Sequence, residues 1–98
     1  MYEIRKTEEF SAWIMALKDK RARSMIGTRI DRLSFGNAGD VKPVGDGISE
    51  LRIHYGPGYR VYFTRRSNVI FIMLCGGTKK RQSKDIELAK ELAKSLKA

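Results

Sequence analysis

The chain has 98 residues, a formal net charge of +9, a pI near 10.0 and 42% hydrophobic content. That length accommodates one domain around one modest core, and the apolar content argues against disorder. No apolar run approaches the roughly 20 residues that span a bilayer, no secretory pattern opens the chain, and the lone Cys75 excludes an internal disulfide.

A soluble, cytoplasmic protein with no membrane partner is therefore expected. The positive charge points to polyanions, whether nucleic acid or acidic protein.

In chain order, Tyr2 to Arg5 reads as a short strand. Thr7 then offers an N-cap, with Glu8 and Glu9 in the first turn, where carboxylates suit the helix dipole. Phe10, Trp13, Ile14 and Leu17 follow at helical spacing. The charged run Lys18-Asp19-Lys20-Arg21 marks a break before a second helix. That helix turns Ala22, Met25, Ile26, Ile30 and Leu33 inward and Arg23, Arg29 and Arg32 outward, and Gly36-Asn37 ends it.

From Val41 the period becomes 2. Val41 to Gly45 is an edge-like strand, because Pro43 cannot donate a ladder bond. Asp46-Gly47 is a hairpin turn, leading into Ile48 to Tyr55. Pro57-Gly58 has the residues of a type II turn, and Gly58 to Arg65 follows. Ser67-Asn68 turns the chain again into Val69 to Cys75, which is apolar on both faces and therefore central. Gly76-Gly77 releases the chain into a basic segment, and Ser83 caps a last helix carrying Ile86, Ala89, Leu92, Ala93 and Leu96. The expectation is a single α+β domain over residues 1–98: an N-terminal strand and helical hairpin packed on a small antiparallel sheet, with a C-terminal helix. The last four strands should form a meander.

Alternation along the strands collects the chemistry. Leu51, Ile53 and Tyr55 share one face, and Glu50, Arg52 and His54 the other. Arg60 and Tyr62 alternate with Val61 and Phe63 in the same way. Lys79, Lys80, Arg81 and Gln82 leave the neighbouring strand. Several fixed cations around one concavity would grip a phosphodiester and stabilise its transition state. RNA cleavage also requires removal of the 2′-hydroxyl proton and protonation of the departing 5′ oxygen. Glu50 is the only carboxylate in this set and the candidate base; His54 is its only group titrating near neutrality. The plainer alternatives are a solvated Glu50/Arg52 pair, Tyr59 and Tyr62 as partly buried rim aromatics rather than stacking platforms, and a flexible strand exit at Gly76-Gly77-Thr78-Lys79-Lys80. One His and one Cys give no zinc spacing, so neither a metal nor a cofactor is expected.

Glu50-Leu51-Arg52, then Gly56-Pro57-Gly58-Tyr59-Arg60-Val61-Tyr62-Phe63, then Gly76-Gly77-Thr78-Lys79-Lys80 before a terminal helix, resembles the RelE/ParE superfamily of bacterial toxins. The likeness covers nearly the whole chain and is greatest to the addiction-module killer branch close to HigB-like toxins. It implies the fold outlined above and a cognate antitoxin that occludes the basic surface. It further implies cleavage of mRNA on the ribosome: Arg60 matches the arginine of the Gly-Tyr-Arg strand, Glu50 and Arg52 the charged face of the preceding strand, and Lys79 and Lys80 the basic segment. Glu50, Arg52, Arg60 and Lys79 are then the expected catalytic residues, and the rest of the charged constellation, His54, Tyr62, Lys80, Arg81 and Gln82, is expected to contact RNA. ParE-like members instead poison DNA gyrase without a nuclease site, and a toxin-like binding module without activity is a third possibility. The segment after Gly77 has no tyrosine or histidine, so the resemblance supplies no general acid.

Overall fold

The computed structural model describes residues 1–96. Its elements are β1 (Glu3–Lys6), α1 (Glu8–Ala16), α2 (Lys20–Ser34), β2 (Val41–Gly45), β3 (Ile48–Ile53), β4 (Tyr59–Ser67) and β5 (Ile70–Thr78), followed by a short 3-10 turn at Lys79–Arg81 and α3 (Gln82–Ser95). Among them, no helix is long and apolar enough to cross a membrane.

Local signals set most of these boundaries. The Thr7 hydroxyl accepts the Phe10 amide at 3.0 Å, and the Asp19 carboxylate accepts the Ala22 amide at 3.1 Å, so each N-terminal helix begins on its own cap. Gly36, at φ +85, closes α2 with amide bonds from Gly36 and Asn37 back to Leu33 and Arg32. Asp46 and Gly47 both take positive φ, the combination a two-residue hairpin turn needs. The Gly-Pro-Gly turn closes one residue earlier than its sequence predicts: the Gly58 amide donates to the Tyr55 carbonyl, and Gly56 takes a positive φ as well.

The sheet order is β1-β5-β4-β3-β2. Strands β2 to β5 form the expected antiparallel meander, with β2 at one edge. The sheet is nevertheless mixed rather than antiparallel, because β1 pairs with β5 in parallel. The intervening helices carry the chain back to the same end, as parallel pairing requires. The glycines Gly76 and Gly77 lie inside β5 rather than beyond it. Ser83 is not a cap: the 3-10 turn runs straight into α3, and the Gln82 amide bonds the Lys79 carbonyl.

Two apolar clusters sandwich the sheet. Helices α1 and α2 bring Phe10, Ala22, Ile26, Ile30 and Leu33 onto Leu51, Ile53, Val61, Phe63 and Met73. Helix α3 places Ala89 on Ile48, Tyr62, Ile72, Leu74 and Cys75. Each fully buried large side chain here contributes about 1.5–3 kcal/mol from apolar burial. The face expected to carry exposed charge is therefore itself roofed by a helix.

Candidate functional site

The register of the meander assembles the site. Across β3 and β4, Glu50 stands opposite Tyr62 and Arg52 opposite Arg60. Across β4 and β5, Tyr62 stands opposite Cys75 and Arg60 opposite Gly77. All of these side-chain positions fall on the α3 face. A bulge in β5 makes this possible. Tyr62 pairs with Cys75 but Phe63 pairs with Met73, so Leu74 is an extra residue and the alternation restarts one step out of phase. Leu74 and Cys75 both join the cluster beneath α3.

The shift decides which face each of the next two glycines takes: Gly76 faces α1 and Gly77 faces α3. A Cβ on Gly76 would overlap the Trp13 indole, and a Cβ on Gly77 would overlap the Asp85 carboxylate. Each glycine thus admits one large or charged side chain directly onto the backbone of β5.

Glu50 is the centre of the arrangement and is 0% exposed. Its Oε1 accepts Arg52 Nε at 2.8 Å. Its Oε2 accepts Gln82 Nε2 at 2.7 Å and the Tyr62 hydroxyl at 3.1 Å, with Arg60 Nε 3.8 Å away. Burial alone would raise the Glu50 pKa. The hydrogen bonds from Arg52, Gln82 and Tyr62, with the charge of Arg60, outweigh it and hold the carboxyl below its ordinary value. The same surroundings push the Tyr62 phenol upward, through burial first and the Glu50 charge second.

Several expected roles need correction. Tyr62 has no exposed surface and Tyr59 is buried too, so neither offers a ring to a base. Arg60 does not point away from the interior; it is 6% exposed beneath α3. His54 leaves the cluster because β3 ends at Ile53 and the alternation stops there. The His54 ring instead meets the Asp40 carboxylate and lines a cleft of about 420 Å³ against Ser24, Met25, Thr28, Arg29 and Arg32 of α2. The alternative of a solvated Glu50/Arg52 pair does not apply, since only Arg52 reaches solvent.

Lys79, Lys80 and Arg81 are exposed and border the cluster, and Gln82 is its link to α3. Lys80, Arg81, Ser83 and Lys84 line a cleft of about 530 Å³. Asp85 was not singled out from the sequence. It is 6% exposed, and only its place one helical turn after Arg81 could have drawn attention to it. Among the described residues, no group of three or more His, Cys, Asp or Glu side chains is placed to hold a metal ion.

Taken together, the fold and this cluster define a small basic α+β protein in which a buried carboxylate bonds one strand arginine and lies 3.8 Å from a second. Residues 12–94 match the model of the phage-derived Gp49-like (DUF891) protein family, and the chain belongs to that family. An uncharacterized protein of Haemophilus influenzae strain Rd is 52% identical over 94 residues, covering 96% of this chain and 95% of the relative. No solved structure matches the chain.

Proposed function

We propose that the chain is the toxin of a toxin–antitoxin pair and acts as a ribosome-dependent endoribonuclease. The observation that carries this reading is Arg52, which reaches solvent while bonded to the buried, ionised Glu50, on the same sheet face as the buried Arg60 and beside the exposed Lys79-Lys80-Arg81 turn. Gp49-like membership and the RelE/ParE resemblance support it.

The chemistry follows from charge placement. A 2′-oxygen attacking the adjacent phosphorus forms a phosphorane with added negative charge, leaving a 2′,3′-cyclic phosphate. On this reading Arg52 and Lys79 meet that charge. Preorganised cations cost no reorganisation during the reaction, and one such donor is commonly worth ~10²–10³ in kcat. The burial of Glu50 and its full set of partners favour a positioning role: it orients the arginines, and the 2′ proton passes to water. With no matched acid–base pair at the surface, positioning by the ribosome supplies much of the acceleration. The cognate antitoxin is then an acidic or apolar segment that covers the arginine face.

The test is cleavage of mRNA on programmed ribosomes by the purified protein, with end-mapping for 2′,3′-cyclic phosphates. Cleavage there with little on naked RNA is expected. Arg52→Ala and Lys79→Ala should each slow it by ~10²-fold or more while the protein stays folded. Gyrase-linked DNA breaks without RNA cleavage would replace this reading with the binding-only one.

A further inference from the structure

Among the described residues, two buried side-chain atoms have no hydrogen-bond partner: Arg60 Nε and Asp85 Oδ2. They flank the same glycine. Arg60 stands opposite Gly77 in the β4–β5 register, and the Asp85 carboxylate lies on Gly77 from the first turn of α3. The other Asp85 oxygen, Oδ1, faces Arg81 Nε at 3.9 Å, and Arg81 is 63% exposed at the rim of the cleft it shares with Lys80, Ser83 and Lys84. One carboxyl oxygen is thus sealed against the sheet, and the other faces an exposed cation at the cleft where a phosphate would be held.

We infer that Asp85 is the general acid of the site, donating the proton that the departing 5′ oxygen of RNA requires. This rests on the endoribonuclease reading above. In the step, the 2′ oxygen bonds to phosphorus as water takes its proton, the P–O5′ bond breaks, and the Asp85 carboxyl proton passes to O5′. Water then reprotonates Asp85. The donor acts once Arg81 swings outward onto a phosphate oxygen, uncovering Oδ1.

The surroundings of the two carboxyls differ in the sense such a division of labour needs. Glu50 is held ionised by hydrogen bonds, whereas burial raises the Asp85 pKa and only the Arg81 charge opposes it. Paired carboxyls with pKa values driven apart mark acid and anion roles. The groups whose charge or titration is coupled to Asp85 are Arg81 from the 3-10 turn, Tyr62 from β4 and Cys75 from β5, whose thiol donates to the Asp85 carbonyl at 3.5 Å. Burial pushes that thiol up to about 12 and the phenol upward, so neither adds negative charge near neutrality. When Arg81 turns to a phosphate, Asp85 loses the influence that favours its ionised form.

The experiment compares two mRNAs on programmed ribosomes, one ordinary and one with sulfur replacing the bridging 5′ oxygen at the mapped cleavage site. A thiolate leaves without protonation. Asp85→Asn should slow cleavage of the ordinary mRNA by ~10²–10⁴-fold and cleave the sulfur-bridged one within a few-fold of wild type. Gly77→Ala, which evicts the carboxyl, should behave the same way. Arg52→Ala should be slow on both substrates. Wild-type cleavage should decline as pH rises through the Asp85 titration, and Asp85→Asn should lose that limb.

Equal slowing of Asp85→Asn on both substrates, wild-type rates on the ordinary one, or failure of the variant to fold would each overturn the assignment. A wild-type protein that cleaves neither mRNA overturns the nuclease reading and the acid with it, a pattern distinct from a Asp85→Asn protein that is active on both.

Discussion

Phe10, Ile26, Leu33, Leu51, Val61 and Met73 meet on one face of the sheet, and among the described residues no charged side chain is buried with them. The opposite face, around Ile48, Tyr62 and Leu74, also buries Glu50, Arg60 and Asp85. Apolar packing is non-directional and tolerates volume-conserving exchange. A buried polar cluster is different, since each member must find its partners or raise the free energy of the fold. Here one carboxylate is fully satisfied, while an arginine nitrogen and a second carboxylate oxygen are left over. The apolar face holds the domain together, and the polar face keeps groups in reserve.

The sharpest way to break this comparison is to change adjacent residues that point to opposite faces. Glu50→Ala leaves Arg60 buried beside no anion and should cost about 3–5 kcal/mol, the scale for removing one partner of a buried pair. Leu51→Ala on the other side should cost about 2–5 kcal/mol through its cavity. Urea denaturation measures both. A Glu50→Ala loss below about 1 kcal/mol would mean the cluster does not act as a unit.

Next in size is Gly76→Ala, which forces the Trp13 ring off the sheet. Overpacking of this kind costs about 1–3 kcal/mol, and displacement of the indole should also change tryptophan fluorescence. An unaltered emission spectrum with unaltered stability would contradict the close packing of Trp13 on β5.

The two carboxyls should give opposite pH responses. Glu50 has a folded-state pKa below its unfolded value, so it contributes stability above the unfolded pKa that is lost as pH falls through the folded one. Asp85 has a raised folded-state pKa, so its contribution is present below the unfolded value and lost as pH rises through the folded one. Thermal melts should therefore find Asp85→Asn more stable than wild type at neutral pH, with the gain shrinking as pH falls toward the ordinary aspartate value of 3.8. A variant less stable at every pH would reverse the sign argued here. Smallest of all, Lys90→Ala removes an ion pair to Asp46 at 3.8 Å in which Asp46 is largely exposed. The melting temperature should hardly move, since such pairs contribute about 0–1 kcal/mol.

The sequence by itself determined the elements whose causes are local. Thr7 and Asp46-Gly47 carry their structural instructions within three or four residues, and the β2-to-β5 meander follows from short turns between alternating strands. Its alternation also placed Glu50, Arg52, Arg60 and Tyr62 on one face correctly. Tertiary structure alone decided what that face became. The parallel pairing of β1 depends on where two helices return the chain, and no local pattern records it. The early end of β3 took His54 out of the cluster. The extra residue at Leu74 changed the phase of β5, invisible in a run apolar on both faces, and so decided which glycine would receive Trp13 and which Asp85. Most of all, the docking of α3 turned an apparently exposed charged surface into a buried one, because burial depends on what lies above a side chain, and α3 lies far along the chain from Glu50.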